Sequence, residues 1–342
     1  MANTLLNAVK DLRNDSLREI VSASAFTGEE EAATSSFPGS NYGYISGGAP
    51  GAPIANVVER FSFTSDGGGT DVGNLSEGRY NCSGQSSSTH GYTCAGQPGA
   101  KDTIDKFPFT SGFATATDVG NLTGGRNKVA GQSSIPNGFG YVSGGNDGDA
   151  IEKFPFSADA NATDVGDLTA TRAGPAGQSS TTHGYTSGGQ PAVNVIDKFT
   201  FSADANATDL GDLTESKAEP SGQSSQTHGY ASGGQVGDPS VTWVRTIDKF
   251  SFTTNGNASD VGDLGSTTWA AAGQSSSTHG YSSGGFVNNI PYPAATSNAI
   301  SKFPFASDGN ATDVGDLIVS IYGCGGTSSS ESGYISGGDE AG

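Results

Sequence analysis

Ala176-Gly177-Gln178-Ser179-Ser180, a Thr-Thr-His turn, and then Gly184-Tyr185-Thr186-Ser187-Gly188-Gly189 open the clearest unit in this chain, Arg172 to Leu213. After a short loop comes Ile196-Asp197-Lys198-Phe199-Thr200-Phe201. A polar turn then leads to Thr208-Asp209-Leu210-Gly211-Asp212-Leu213. Four short runs punctuated by Gly, Asn, Asp and Ser read as four β-strands. In the third, period-two alternation puts Phe199 and Phe201 on one face and Ile196 and Lys198 on the other.

The Gly-Tyr phrase occurs seven times, at Tyr44, Tyr92, Tyr141, Tyr185, Tyr230, Tyr281 and Tyr334. A period of roughly 40–50 residues marks a propeller array rather than a single-core domain. Phe-x-Phe and Asp-(Val/Leu)-Gly-(Asp/Asn)-Leu each occur six times. The expectation is therefore an all-β, seven-bladed β-propeller of four-stranded blades. Small Gly, Ser and Gln residues place strand one innermost, near the axis, and the bulkier strands outside. Neighbouring blades would bury each other's faces, which lets a polar chain build a continuous core. The last unit lacks its outer half, so a mixed blade of N- and C-terminal strands is expected to close the ring.

Residues 1–32 read as a ring-closing and anchoring segment, and residues 33–342 as the propeller. Leu5, Leu6, Val9 and Leu12 have helical spacing and predict a short helix from about Asn3 to Arg13. Leu17 to Thr27 are the candidate closing strands.

Composition narrows the function. With 16 basic and 35 acidic residues, the net charge is −19. That disfavours nucleic-acid phosphates as partner, because such binding rests on Lys and Arg. It equally disfavours an anionic membrane surface. No apolar run is long enough to span a bilayer, and the N-terminus does not read as a secretory signal. Cys82, Cys94 and Cys324 have no metal-ligand spacing.

The pattern resembles the kelch family of propellers. Gly188-Gly189, Tyr185 and Asp197-Lys198-Phe199 match its glycine pair, aromatic and acidic-x-aromatic third strand; the fourth strand differs. The longer wording, from Ile-Asp-Lys-Phe-x-Phe to Gly-Gln-Ser-Ser-x-Thr-His-Gly-Tyr-x-Ser-Gly-Gly, resembles repeats of predicted virion and tail proteins of marine bacteriophages. This resemblance covers about Ser35 to Gly338. It implies a virion component made without a signal peptide, with other virion proteins or a host surface glycan as partners, in a homo- or hetero-oligomeric assembly.

Most candidate chemistry has a structural reading. His90, His183, His228 and His279 share one hairpin slot that Tyr42, Phe139 and Ser332 fill elsewhere, and the aromatic substitutions favour packing over a metal ring. Asp159 to Asp164 and its kin suit an Asx-type turn better than a calcium loop, which would want a bidentate Glu. Lys106, Lys153, Lys198, Lys249 and Lys302 read as charge-pairing and edge-protecting residues of outer strands. No cofactor, metal or catalytic constellation stands out from the repeat, so the chain reads as non-enzymatic. What breaks the repeat is loop length on one face, at Gln235 to Thr246 and Phe286 to Ala299. These loops and the adjoining links carry Trp243, Arg245, Trp269, Phe286, Tyr292, Tyr322 and Tyr80. Trp, Tyr and Arg supply most interface hot spots, and aromatic platforms stack on sugar rings. A cellular interaction scaffold and a glycan-active propeller enzyme remain the alternatives.

Overall fold

The computed structural model describes residues 41–49, 54–110, 112–146, 148–237, 242–287 and 295–329. The helix expected at Asn3–Arg13, the closing strands expected at Leu17–Thr27, the Tyr334 phrase and Tyr292 lie outside these residues. Among the described residues the chain is all-β, with six four-stranded antiparallel sheets and no helix.

Five of the six run in chain order from their first strand outward; the sheets are numbered along the chain with the one that holds Tyr42–Ser46, the closing sheet, as the first. The fourth is representative, with strands Ala176–Ser179, His183–Ser187, Val193–Thr200 and Thr208–Lys217. The closing sheet is mixed. Gly325–Ser329 pairs with Tyr42–Ser46, which continues into Val57–Ser62 and Thr70–Asn74. Its register sets Tyr44 against Thr327, as Tyr185 stands against Gln178 in the fourth sheet. All four places in this sheet are therefore filled without residues 17–27.

Three sets of contacts link the sheets, and each returns to its start after six steps. Along the inner strands, one backbone N–H donates to the serine hydroxyl of the next sheet. The order is Ser86, Ser133, Ser179, Ser224, Ser275, Ser328 and back to Ser86, at 2.9–3.0 Å. This closed cycle explains the Gln-Ser-Ser phrase. The glutamine works beside it, since the Gln178 amide donates to the Tyr230 carbonyl of the next sheet at 2.9 Å. Close approach also demands glycine here: a Cβ on Gly177 would sit 2.2 Å from the Gly131 carbonyl oxygen.

The second cycle is aromatic. Tyr185 stacks on Phe252 at 4.6 Å and tilts against Phe250 at 5.6 Å, both in the fifth sheet. Each described phrase tyrosine packs against the two phenylalanines of the following sheet, Tyr44 with both contacts tilted, and Tyr281 of the sixth meets Phe61 and Phe63 of the closing sheet. Each such ring pair contributes about 0.5–1.5 kcal/mol beyond its area burial. The glycine before each tyrosine makes room for a phenylalanine of its own sheet, because a Cβ on Gly184 would lie 2.2 Å from the Phe199 ring. The apolar core is thus a set of clusters between adjacent sheets. One joins Tyr185, Ile196 and Leu213 to Ala231, Phe250 and Phe252.

The repeat count predicts seven blades, whereas among the described residues these cycles close with six sheets. The difference has a plain cause. Gly43–Gly48 and residues 333–338 both read Gly-Tyr-Ile-Ser-Gly-Gly, and counting each phrase as a unit counts the closing sheet twice. Tyr42–Ser46 already fills the place beside Gly325–Ser329.

Candidate functional site

The links that enter each inner strand form the third cycle, a collar around one end of the space lined by the six inner strands. Its backbone N–H groups donate in the order Lys128 to Asn81, Gly174 to Lys128, Glu219 to Gly174, Ala270 to Glu219, Gly323 to Ala270 and Asn81 to Gly323, at 2.5–3.1 Å. Inside the collar lie Cys82, Val129, Pro175, Pro220, Ala271 and Cys324, one from each sheet. The serine cycle lies toward the far ends of the inner strands, beside a space of about 60 Å³ lined by Gly and Ser together with Gln178, Gln274 and Thr327.

Backbone symmetry ends here, because the side chains just before the collar differ. Tyr80, Trp269 and Tyr322 stand where the other links have Asn127, Ala173 and Ala218. Two short ribbons add the rest: Gln235–Val236 pairs with Thr242–Trp243, and Thr268–Trp269 pairs with Phe286–Val287. The rings form one contiguous arc. Tyr80 meets Tyr322 at 5.8 Å, Tyr322 meets Phe286 at 4.2 Å, Phe286 stacks on Trp269 at 4.8 Å, and Trp269 meets Trp243 at 5.8 Å. All five are half-buried. The indole N–H of Trp269 is buried and has no hydrogen-bond partner among the described residues. Burial raises the Tyr322 phenol above its ordinary value, with Tyr80 and Glu219 adding to the effect.

The opposite part of the collar is charged. Lys128 Nζ pairs with Glu219 at 2.5 Å across Gly174, and donates to Gln190 Oε1 at 3.0 Å. An apolar arc of rings, mostly tilted against one another, thus faces a polar one over the same opening. Trp243, Trp269, Phe286 and Tyr322 come together as the sequence suggested, with Tyr80 extending the row. Arg245 does not join them: its side chain is 56% exposed and pairs with Asp263 at 3.4 Å. The Lys128–Glu219 pair escaped the sequence reading, since 91 residues separate the two.

The remaining candidates have other roles in the structure. Each slot histidine accepts or donates a 2.8 Å bond between Nδ1 and the preceding threonine hydroxyl. Burial holds His183, His228 and His279 below the usual imidazole value, with a nearby lysine adding in each case. Lys106, Lys153, Lys249 and Lys302 pair with Asp159, Asp204, Asp308 and Asp66 of the next sheet. The acids beside these lysines face inward instead. The three cysteines are buried free thiols. Burial pushes the Cys82 thiol up to about 11, which leaves little thiolate for nucleophilic chemistry. Among the described residues, no three His, Cys, Asp or Glu side chains cluster as a metal site. Compared with protein-family models and with curated proteins, the chain matches none.

Proposed function

We propose that this chain is a six-bladed, kelch-like β-propeller that serves as a non-enzymatic structural or adhesion component of a bacteriophage particle. Its aromatic arc binds a host surface glycan. The observation that carries the binding part is the unbroken row from Tyr80 to Trp243 beside the collar. Flat rings stack on the apolar faces of sugars, while the facing Lys128, Glu219 and Gln190 offer hydrogen bonds to hydroxyls. The virion part rests on the resemblance of the repeat wording and on the acidic, charge-poor composition.

Both tryptophans of the chain, Trp243 and Trp269, lie in the arc, so intrinsic fluorescence reports on this site directly. A panel of bacterial surface oligosaccharides titrated into the full chain should contain one that shifts the emission saturably. Trp269→Ala should abolish the binding while leaving the melting temperature close to that of the parent. If no oligosaccharide perturbs the emission, or if Trp269→Ala binds as before, the glycan reading fails.

A further inference from the structure

Four of the six sheets bury an ion pair built on one plan. Leu168-Thr169-Ala170-Thr171-Arg172 leads into the fourth sheet, and Arg172 turns inward to its third strand. One guanidinium nitrogen donates to the carbonyls of Gly188 and Val195 at 3.3 and 3.2 Å; the other meets Asp197 at 2.5 Å. Thr169 completes the carboxylate with its backbone N–H and its hydroxyl. Arg79 with Asp105, Arg126 with Glu152 and Lys217 with Asp248 repeat the plan. In the sixth sheet both charges are replaced, by Thr268 and Ser301.

The closing sheet keeps only half of it. Glu59 stands where Asp197 does and is 4% exposed. The entering link reads Leu317-Ile318-Val319-Ser320-Ile321, with isoleucine in both the Thr169 and the Arg172 places. The Ile318 backbone N–H still donates to Glu59 at 2.9 Å, but no described cation pairs with the carboxylate. Beside it is a cavity of about 100 Å³. Gly47, Val57 and Glu59 line it, the counterparts of the three residues that receive the Arg172 guanidinium. Its lip is Ile318 and Val319, 54% and 43% exposed, the large hydrophobics left exposed among the described residues. Asp71 adds a second carboxylate to the lining.

We propose that this cavity binds a guanidinium or primary ammonium group carried on a short aliphatic stem. The head takes the place that Arg172 fills in the fourth sheet, with Glu59 as counter-ion and the Gly47 and Val57 carbonyls as acceptors. The stem lies along Ile318, Val319 and Ile321, as the methylenes of buried arginines lie along apolar surface. A buried carboxylate is costly while unpaired and gains most from a geometrically matched cation. The net charge of −19 draws cations toward the chain. Burial, the largest cause, and Asp71 both raise the Glu59 carboxyl above the usual range, while the Ile318 N–H opposes them. The source is either a free amine or guanidine, or an Arg or Lys side chain of another protein.

The test uses calorimetry on the full chain with three probes: butylguanidine, its neutral isostere butylurea, and a short peptide with one central arginine. Butylguanidine or the peptide should bind, and butylurea should not. Binding by the free probe points to a small-molecule source, and binding by the peptide alone to a protein side chain. Glu59→Gln should weaken the interaction by about tenfold or more. Ile321→Arg should fill the cavity in cis, abolish binding and raise the melting temperature. Should Ile321→Arg fail to fold, Ile318→Asp decides the matter, because a carboxylate at the lip should tighten binding of the cationic probe while butylurea still does not bind. Equal responses to butylguanidine and butylurea, no binding by either cationic probe, or binding untouched by Glu59→Gln would overturn the proposal.

Discussion

The fourth sheet and the closing sheet share register, strand order and aromatic partners, yet they treat the same buried acid in opposite ways. In the fourth, Asp197 meets Arg172 and two threonine donors. In the closing sheet, Glu59 keeps one backbone donor, and a cavity takes up the place of the cation. The sixth sheet shows the third solution, with neither charge. The backbone plan therefore tolerates a pair or a neutral replacement alike. What it does not absorb without consequence is an acid deprived of its partner.

The sharpest way to break this comparison is to make the fourth sheet resemble the closing one. Arg172→Met strands Asp197 in the interior and should cost about 3–5 kcal/mol, read by urea unfolding. Adding Asp197→Asn should recover most of the loss, since the sixth sheet lives without either charge. If the single variant loses under 1 kcal/mol, as an exposed pair would, the buried pairs are not what distinguishes the sheets.

A smaller effect, of opposite sign, is expected from Glu59→Gln. The folded chain holds the Glu59 proton more tightly than the unfolded chain, because burial raises its carboxyl. Stability contributed by this group is thus present at low pH and declines as pH rises from the ordinary glutamate value through the folded one. The variant should be more stable than the parent at neutral pH and equal to it below the carboxylate range. Equal stability at both ends, measured by unfolding at two pH values, would mean that Glu59 finds a counter-charge in the parent.

The smallest effect belongs to the outer lysines. Lys153 pairs with Asp204, which is 58% exposed, so Lys153→Ala should change stability by about 0–1 kcal/mol, less still at high salt. A loss as large as that of Arg172→Met would erase the distinction between buried and surface pairs.

Much of this was legible in the repeat. Phe199 and Phe201 share a face by alternation, Gly-Tyr marks the second strand, and loop length singles out the face carrying Trp243, Trp269, Phe286 and Tyr322. Other features left little local trace. Arg172 and Asp197 lie 25 residues apart, and Lys217 and Asp248 lie 31 apart, so the Leu-(Ser/Thr)-x-x-(Arg/Lys) link does not announce its partner. Arg245 looked like a companion of Trp243, but an exposed guanidinium takes the nearest carboxylate, here Asp263.

By itself, the sequence determined the four-strand unit, its apolar faces and the identity of its odd loops. Those follow from short-range rules: side-chain alternation, turn residues and the size of neighbouring groups. Only the tertiary structure decided that Gly325–Ser329 pairs with Tyr42–Ser46, so that the cycles close with six sheets and one acid is left facing a cavity. Ring closure is a condition on all the sheets at once. The close approach of neighbouring inner strands, as at Gly177 against Gly131 and Ser179 against Ser133, is a relation between units, and no single unit carries the number that fit.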